Sequence, residues 1–411
     1  MSTVKPFRAV RPVKEHVKEV AALPYDVYTR EEAAEFVKTR PLSFLNIDRP
    51  ETAFKPTEDM YSQKVYDHAR KTYEEWKAKG IFMQDENPCY YIYELTMDGR
   101  SQTGIVGATA VKDYETGVCK KHENTVAEKE ADRINHVYTM SAQTGPIFLA
   151  YHKTDELSQI VSNIKETTPE YDFVTEEGIG ERVWVVSDPE AVKKIEEGFG
   201  NVPNTYIADG HHRAASAVKV SQRKRTEGAD MTEAEYFLSV LFPDDELKIM
   251  DYNRYVLDLN GMSAAEFIDR INKDSAFTVS EAASFEKPLN KFEVSMYLEG
   301  KPYTLTVKDE YAAKVEKDPV KVLDVSVLQD TVLSPILGIG DPRTDKRIKF
   351  IGGIKGIKPL MEMAQEKGVS FAMYPTSMQE LFGVADAGLL MPPKSTWFEP
   401  KLRSGIFIHE I

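Results

Sequence analysis

Two apolar runs, CYYIYEL (89–95) and TGIVGATAV (103–111), flank Asp98-Gly99, a pair whose turn chemistry favours reversal between strands. A hairpin commits this part of the chain to antiparallel pairing. The two runs stop short of Asp98-Gly99, so a loop longer than two residues is expected. FEVSMYLEG-KPYTLTV (292–307) reads as a second hairpin. Elsewhere the pattern changes: TYIAD (205–209) is strand-like and runs straight into HHRAASAVKVSQRKR, an Ala-rich helical stretch. Hairpins beside strand–helix units predict an α+β fold, with mixed sheets and flanking helices, over a purely parallel sheet.

Other elements follow from periodicity and capping. Thr29 with Glu32 forms a capping box for a helix that Pro41 ends, and Ser263 with Glu266 forms another. Tyr61, Val65, Ala69, Tyr73 and Trp76 recur at helical spacing, with Gly80 closing that helix. A third helix is expected after Thr125, with Glu128 as capping partner. PIFLAYH (146–152), RVWVVS (182–187), YFLSVLF (236–242) and VSFAMY (369–374) read as strands, and IFIHEI as a final one. With 411 residues, three lobes are expected: 1–145, 146–260 and 261–411.

Composition narrows the function classes. Sixty-six Asp and Glu against 52 Lys and Arg give a net charge of −14, which disfavours a general nucleic-acid surface. No apolar run approaches the roughly 20 residues of a membrane helix. The two cysteines, Cys89 and Cys119, are too few for a disulfide framework or a thiolate metal cluster. A cytoplasmic protein is expected, with a small anionic ligand as partner, no nucleic acid and no membrane; a homo-oligomer stays open.

The sharpest local feature is Asp209-Gly210-His211-His212-Arg213, where a strand meets a helix. A helix start presents unpaired N–H groups and the positive end of the dipole, where cationic side chains are unfavourable unless an anion joins them. Gly210 lets a phosphate approach the backbone, Arg213 can grip two of its oxygens, and His211 or His212 can donate to it. The plain alternative is a structural helix with Asp209 as its N-cap. Paired histidines also suggest a metal, but adjacent residues at a helix start diverge and no carboxylate sits at ligand spacing.

A second constellation is His122-Glu123-Asn124-Thr125, followed by Lys129, Asp132, Arg133 and His136 on one helical face. Ala127, Ala131, Ile134 and Tyr138 form the opposing apolar stripe, so the polar face reads as solvated unless it builds a site. A third is Lys394, Ser395, Thr396, Lys401 and Arg403 in a Pro-rich stretch, where Trp397 and Phe398 equally suit packing. Arg8, Arg11, Tyr25 and Asp26, among three prolines, either line the same cleft or pack as an ordinary loop. Gly338-Ile339-Gly340 is no dinucleotide loop, because Pro342 falls where the helix would start.

Asp-Gly-His-His-Arg after a strand resembles the motif of the ParB/sulfiredoxin-like superfamily, and most of all its free serine kinase branch. Sulfiredoxins carry a cysteine where His211 stands, so their thiol chemistry is not implied. ParB proteins append a helix-turn-helix, which is not evident here. LPYDV (23–27), KHENTVAEKEADR (121–133), YIADGHHRAA (206–215) and MPPKSTWFEPKLRSG (391–405) together resemble the bacterial and archaeal family known as domain of unknown function 1015. The resemblance implies a ParB/sulfiredoxin-like core around the motif.

It further implies a phosphotransferase, using a nucleotide or pyrophosphate to phosphorylate free L-serine or a related hydroxyl-bearing metabolite. In that reading Asp209 and His212 are catalytic; Glu123, which does not align with the base of those kinases, is assigned from its place at the mouth of a helix, either to take the hydroxyl proton or to hold a metal ion or a substrate amine. Gly210, His211, His212 and Arg213 hold the phosphates, and Mg²⁺ bridges them with help from Asp209. His122, Lys129, Asp132, Arg133 and Lys394 hold the acceptor. Two alternatives remain: a nucleotide-binding switch without acceptor chemistry, and a non-catalytic protein.

Overall fold

The computed structural model describes residues 1–125 and 127–411, except for the side chains of Glu128 and Lys129. Contacts divide these into two compact units, residues 1–247 with 400–411, and residues 248–399.

Among the described residues of the first unit, nine strands form one mixed sheet. In chain order they are β1 (Val4–Lys5), β2 (Tyr90–Met97), β3 (Arg100–Ala110), β4 (Cys119–Lys120), β5 (Ile147–Tyr151), β6 (Tyr171–Val174), β7 (Gly180–Val186), β8 (Thr205–Asp209) and β9 (Tyr236–Pro243). The spatial order is β4-β8-β5-β9-β3-β2-β7-β6, with β1 added beside β3. Strands from both sides of residue 145 thus share one sheet, and the C-terminal residues return to it. Three consecutive lobes were expected instead, because local sequence does not reveal which distant strands pair.

The hairpin β2–β3 is tighter than expected. Asp98 and Gly99 both have positive φ, 52° and 77°, and pairing runs up to Met97 opposite Arg100. This two-residue reversal has the twist that adjacent strands need. The polar ends of the strands pair too, with Thr96 Oγ1 and Ser101 Oγ 2.8 Å apart.

The longer helices of this unit are α1 (Arg30–Val37), α2 (Gln63–Ala78), α3 (Ala127–Met140), α4 (Asp155–Lys165), α5 (Pro189–Gly200) and α6 (His211–Glu227). The Thr29–Glu32 capping box is present at α1. Ile92, Ile105, Leu149, Ile207, Phe237 and Leu241 from the sheet are buried with Phe199 of α5 and Val218 of α6. A second apolar cluster joins Phe44, Leu45, Tyr73, Trp76, Phe82 and Ile408.

The second unit holds a six-stranded antiparallel sheet among its described residues. Its strands are β10 (Tyr252–Val256), β11 (Phe277–Glu281), β12 (Glu293–Leu298), β13 (Lys301–Val307), β14 (Ile348–Gly352) and β15 (Val369–Met373). Their order is β11-β13-β12-β15-β10-β14. Helix α7 (Ala264–Asp274) opens on the expected Ser263–Glu266 capping box. The whole is α+β, with mixed and antiparallel sheets flanked by helices. No helix among the described residues is long and apolar enough to cross a membrane.

Candidate functional site

Topology brings two of the sequence blocks together. Strand β4 pairs in parallel with β8, Cys119 opposite Thr205 and Lys120 opposite Tyr206. The chain leaving Lys120 therefore runs beside the chain leaving Tyr206, and His122 meets His211. Their rings lie edge to face, centroids 4.5 Å apart. On its other side β8 pairs with β5 through a register shift between Ile207 and Asp209. Such irregularities re-aim the strand end, here just before the helix start.

Gly210 then takes φ 93°, ψ 31° and occupies the N-cap of α6. Asp209 is not the cap that the sequence allowed. Its Oδ1 accepts from Gly210 N–H at 2.7 Å, and its Oδ2 accepts from Lys401 Nζ at 2.8 Å. Burial pushes the Asp209 carboxyl up, but Lys401, Arg213 and the Gly210 N–H outweigh it and hold it below the usual range. Both Asp209 oxygens are thus engaged by neighbouring donors. The Gly210 N–H, expected to face a phosphate, donates to that carboxylate instead.

His211 and His122 are buried, 7% and 2% exposed. Burial drives the His211 ring well below its ordinary value, and nearby His122 adds to this. Burial lowers His122 to about 4, against a hydrogen bond to the Ile207 backbone. Both are neutral near pH 7, so His211 is not the imidazolium that a phosphate partner would favour. Among the described residues His211 Nε2 has no hydrogen-bond partner. Glu123 is half-buried, and one ligand atom each from His122, Glu123 and His211 lie within 4.8 Å of one another. Strand pairing, rather than the adjacency of His211 and His212, makes this grouping.

The polar face of α3 points inward, contrary to the solvated reading. Arg133 and His136 are buried at 6% and 0% exposure, whereas Ala127 and Ala131 are exposed. Arg133 pairs with Asp132 at 2.8 Å, its guanidinium lies 4.0 Å from the Tyr25 ring centroid, and His136 Nε2 lies 3.0 Å from Ile47 O, while His136 Nδ1 has no hydrogen-bond partner among the described residues. Tyr66 donates to Asp132 at 2.9 Å. Expected partners of Thr125 change as well, since its hydroxyl donates to Glu130 at 2.6 Å. The side chains of Glu128, the expected capping partner, and Lys129 lie outside the described residues.

Arg133 and Arg213 both line a small cavity of about 30 Å³, with Tyr25, Asp48, Thr144 and Ser404. Arg213 is half-buried and donates to Pro146 O. Among the described residues no carboxylate lies within ion-pair distance of it. Tyr25 and Arg133 also border a larger cavity of about 210 Å³, with Asp26, Tyr28, Tyr61 and Tyr66. Asp48, buried and bonded to Thr144 Oγ1 at 2.7 Å, carried no sequence signal, since SFLNIDRP has no motif character. Arg8 and Arg11 instead join a separate network. Arg8 Nε donates to Asp85 O at 3.0 Å, and Arg11 pairs with Asp85 at 2.9 Å.

The closing Pro-rich stretch divides. Lys401 joins Asp209, and Arg403 pairs with Glu181 at 3.1 Å and Glu177 at 2.9 Å. Lys394 belongs to the second unit, where its backbone carbonyl accepts from Arg254 at 3.0 Å. His212 is half-buried at the start of α6, and its carbonyl accepts from Ser216 Oγ at 2.6 Å.

No curated protein matches the chain. Among solved structures it is similar to SbnI with C-terminal truncation from Staphylococcus aureus, at 11% identity and TM-score 0.38, covering 72% of this chain and 82% of that one. It is also similar to a free serine kinase in complex with AMP, at 18% identity and TM-score 0.34, covering 72% and 86%. A conserved hypothetical protein from Pyrococcus furiosus is 17% identical, with TM-score 0.32 and coverage of 72% and 90%. The family model described as "Protein of unknown function (DUF1015)" matches residues 4–326. The blocks around His122 and Asp209 fall within that match, and the chain belongs to the DUF1015 family.

Proposed function

We propose that the protein is a phosphotransferase, moving a phosphoryl group from a nucleotide or pyrophosphate to a hydroxyl-bearing metabolite such as free L-serine. The observation that carries this reading is Arg213, a half-buried guanidinium on a cavity with no carboxylate partner among the described residues. The nearby Asp209 carboxylate is already held by Lys401 and the Gly210 N–H, and a phosphate offers the Arg213 guanidinium a partner with matching two-pronged geometry. Arg213 is the third residue of α6, whose first N–H groups and dipole favour the same anion. Buried Arg133, paired with Asp132, lines the same cavity.

Phosphoryl transfer asks chiefly for positioning and charge neutralisation, so a cluster of this kind needs no covalent nucleophile. The acceptor oxygen forms its bond to phosphorus as the donor's bridging oxygen leaves with the electron pair. Glu123 takes the acceptor's proton. The cavity among Tyr25, Tyr28, Tyr61 and Tyr66 offers aromatic faces on which a donor's base can stack. Mg²⁺ bound to the donor would offset its charge.

Mass spectrometry of serine incubated with the protein and ATP, ADP or pyrophosphate tests the reading. A phosphorylated product that disappears in Arg213→Ala supports it. Donor binding without any such product would instead favour a nucleotide-binding switch.

A further inference from the structure

We infer that His122, Glu123 and His211 form a binding site for one divalent transition-metal ion. The inference deepens the transferase reading and rests on it only for the use made of the ion. Three donors of the right kind come from two separate stretches of chain, the turn after β4 and the start of α6. Their ligand atoms lie within 4.8 Å of one another. Bonds of about 2.0–2.2 Å place tetrahedral ligands roughly 3.3 Å apart, so small side-chain rotations close the shell.

A second observation points the same way. His211 is 7% exposed, and its Nε2 lacks any hydrogen-bond partner among the described residues. Buried polar atoms are almost always satisfied, and an exception calls for an ion, a water or a catalytic role. The His122 ring is oriented by its hydrogen bond to the Ile207 backbone; metal-bound imidazoles are steadied in the same way through their other nitrogen. The adjacent carboxylate of Asp209 is turned to Lys401 and Gly210, and the carboxylate grouped with the two rings is that of Glu123.

Two imidazoles with one carboxylate suit zinc, iron, cobalt or nickel, whereas Mg²⁺ and Ca²⁺ take oxygen ligands. Three protein donors leave a position for an outside oxygen, from water or from an acceptor hydroxyl. In the transferase reading, which gives the acceptor's proton to Glu123, that oxygen would be the acceptor's.

The test is titration of the chelator-treated full chain with zinc alone by calorimetry, and with cobalt(II) alone followed by its visible spectrum. One equivalent is expected to bind, with affinity lowered roughly a hundredfold in His211→Asn and in Glu123→Gln. Glu123 is half-buried, so its variant keeps the fold, checked by circular dichroism, if His211→Asn does not. Arg213→Ala is expected to bind zinc as the wild type does. Absence of stoichiometric binding, or equal binding in Glu123→Gln, overturns the inference. Loss of metal binding with donor binding intact would remove this inference alone; the reverse would remove the phosphate site alone.

Discussion

Lys401 Nζ lies 2.8 Å from Asp209 Oδ2, which ties the last twelve residues of the chain to the turn that opens α6. The contact links positions 192 residues apart in sequence and places a cation beside the strand end where the candidate chemistry sits. It also fixes the Asp209 carboxylate so that its other oxygen receives the Gly210 N–H.

Replacing Lys401 by Met should leave Asp209 half-buried with only part of its charge compensated. A loss of about 1–3 kcal/mol is expected, read as a lower urea midpoint at pH 7. Because the carboxyl is held below its ordinary value, its contribution is present above about pH 4 and is lost as pH falls. The variant should therefore differ least from wild type in acid; a constant difference at every pH would contradict the pairing.

Gly210 has φ 93°, and a Cβ there would stand 3.0 Å from Arg213 Nε and Nη2. Gly210→Ala is expected to cost roughly 1–2 kcal/mol from backbone conformation alone. It should also push the guanidinium from its cavity, weakening donor binding more than Thr or Ser changes elsewhere on α6. Unchanged melting temperature and unchanged donor affinity would refute this account of the turn.

Acid should weaken the first unit through its buried histidines. Burial holds His122 at about 4 and lowers His211 and His136 too, although Asp209 near the first two and Asp48 near the third pull upward. In the unfolded chain these rings titrate near ~6.5, so unfolding takes up protons below that pH. Their contribution is full above pH 6.5 and is lost as pH falls toward 4. In chelator-containing buffer, stability should drop over that window by an amount on the order of a few kcal/mol. Denaturant titrations at half-unit pH intervals check this, and a flat profile would contradict it.

Local signals carried much of the architecture. The capping boxes at Thr29 and Ser263, the Asp98-Gly99 reversal and the strand–helix junction at Gly210 are short-range features, and each formed the element expected. Pairing between distant strands was not legible: nothing near Cys119 announces that it lies beside Thr205, and without that pairing the approach of His122 to His211 is invisible. The polar face of α3 misled for a related reason. Charge pattern alone reads Asp132, Arg133 and His136 as solvated, but Tyr25, Tyr66 and the Ile47 carbonyl come from remote segments and meet them inside. Asp48 was missed because its role comes from Thr144, 96 residues away.

The central claim is that the Arg213 cavity receives a phosphate-bearing ligand. Calorimetric titration of the full chain with ADP, beside Arg213→Ala shown by circular dichroism to be folded, tests it most directly. The expected result is saturable binding by the wild type and at least a tenfold weaker affinity in the variant, about 1.4 kcal/mol or more. Equal affinity in the two proteins, or no binding by the wild type to ADP, ATP or pyrophosphate, would contradict it.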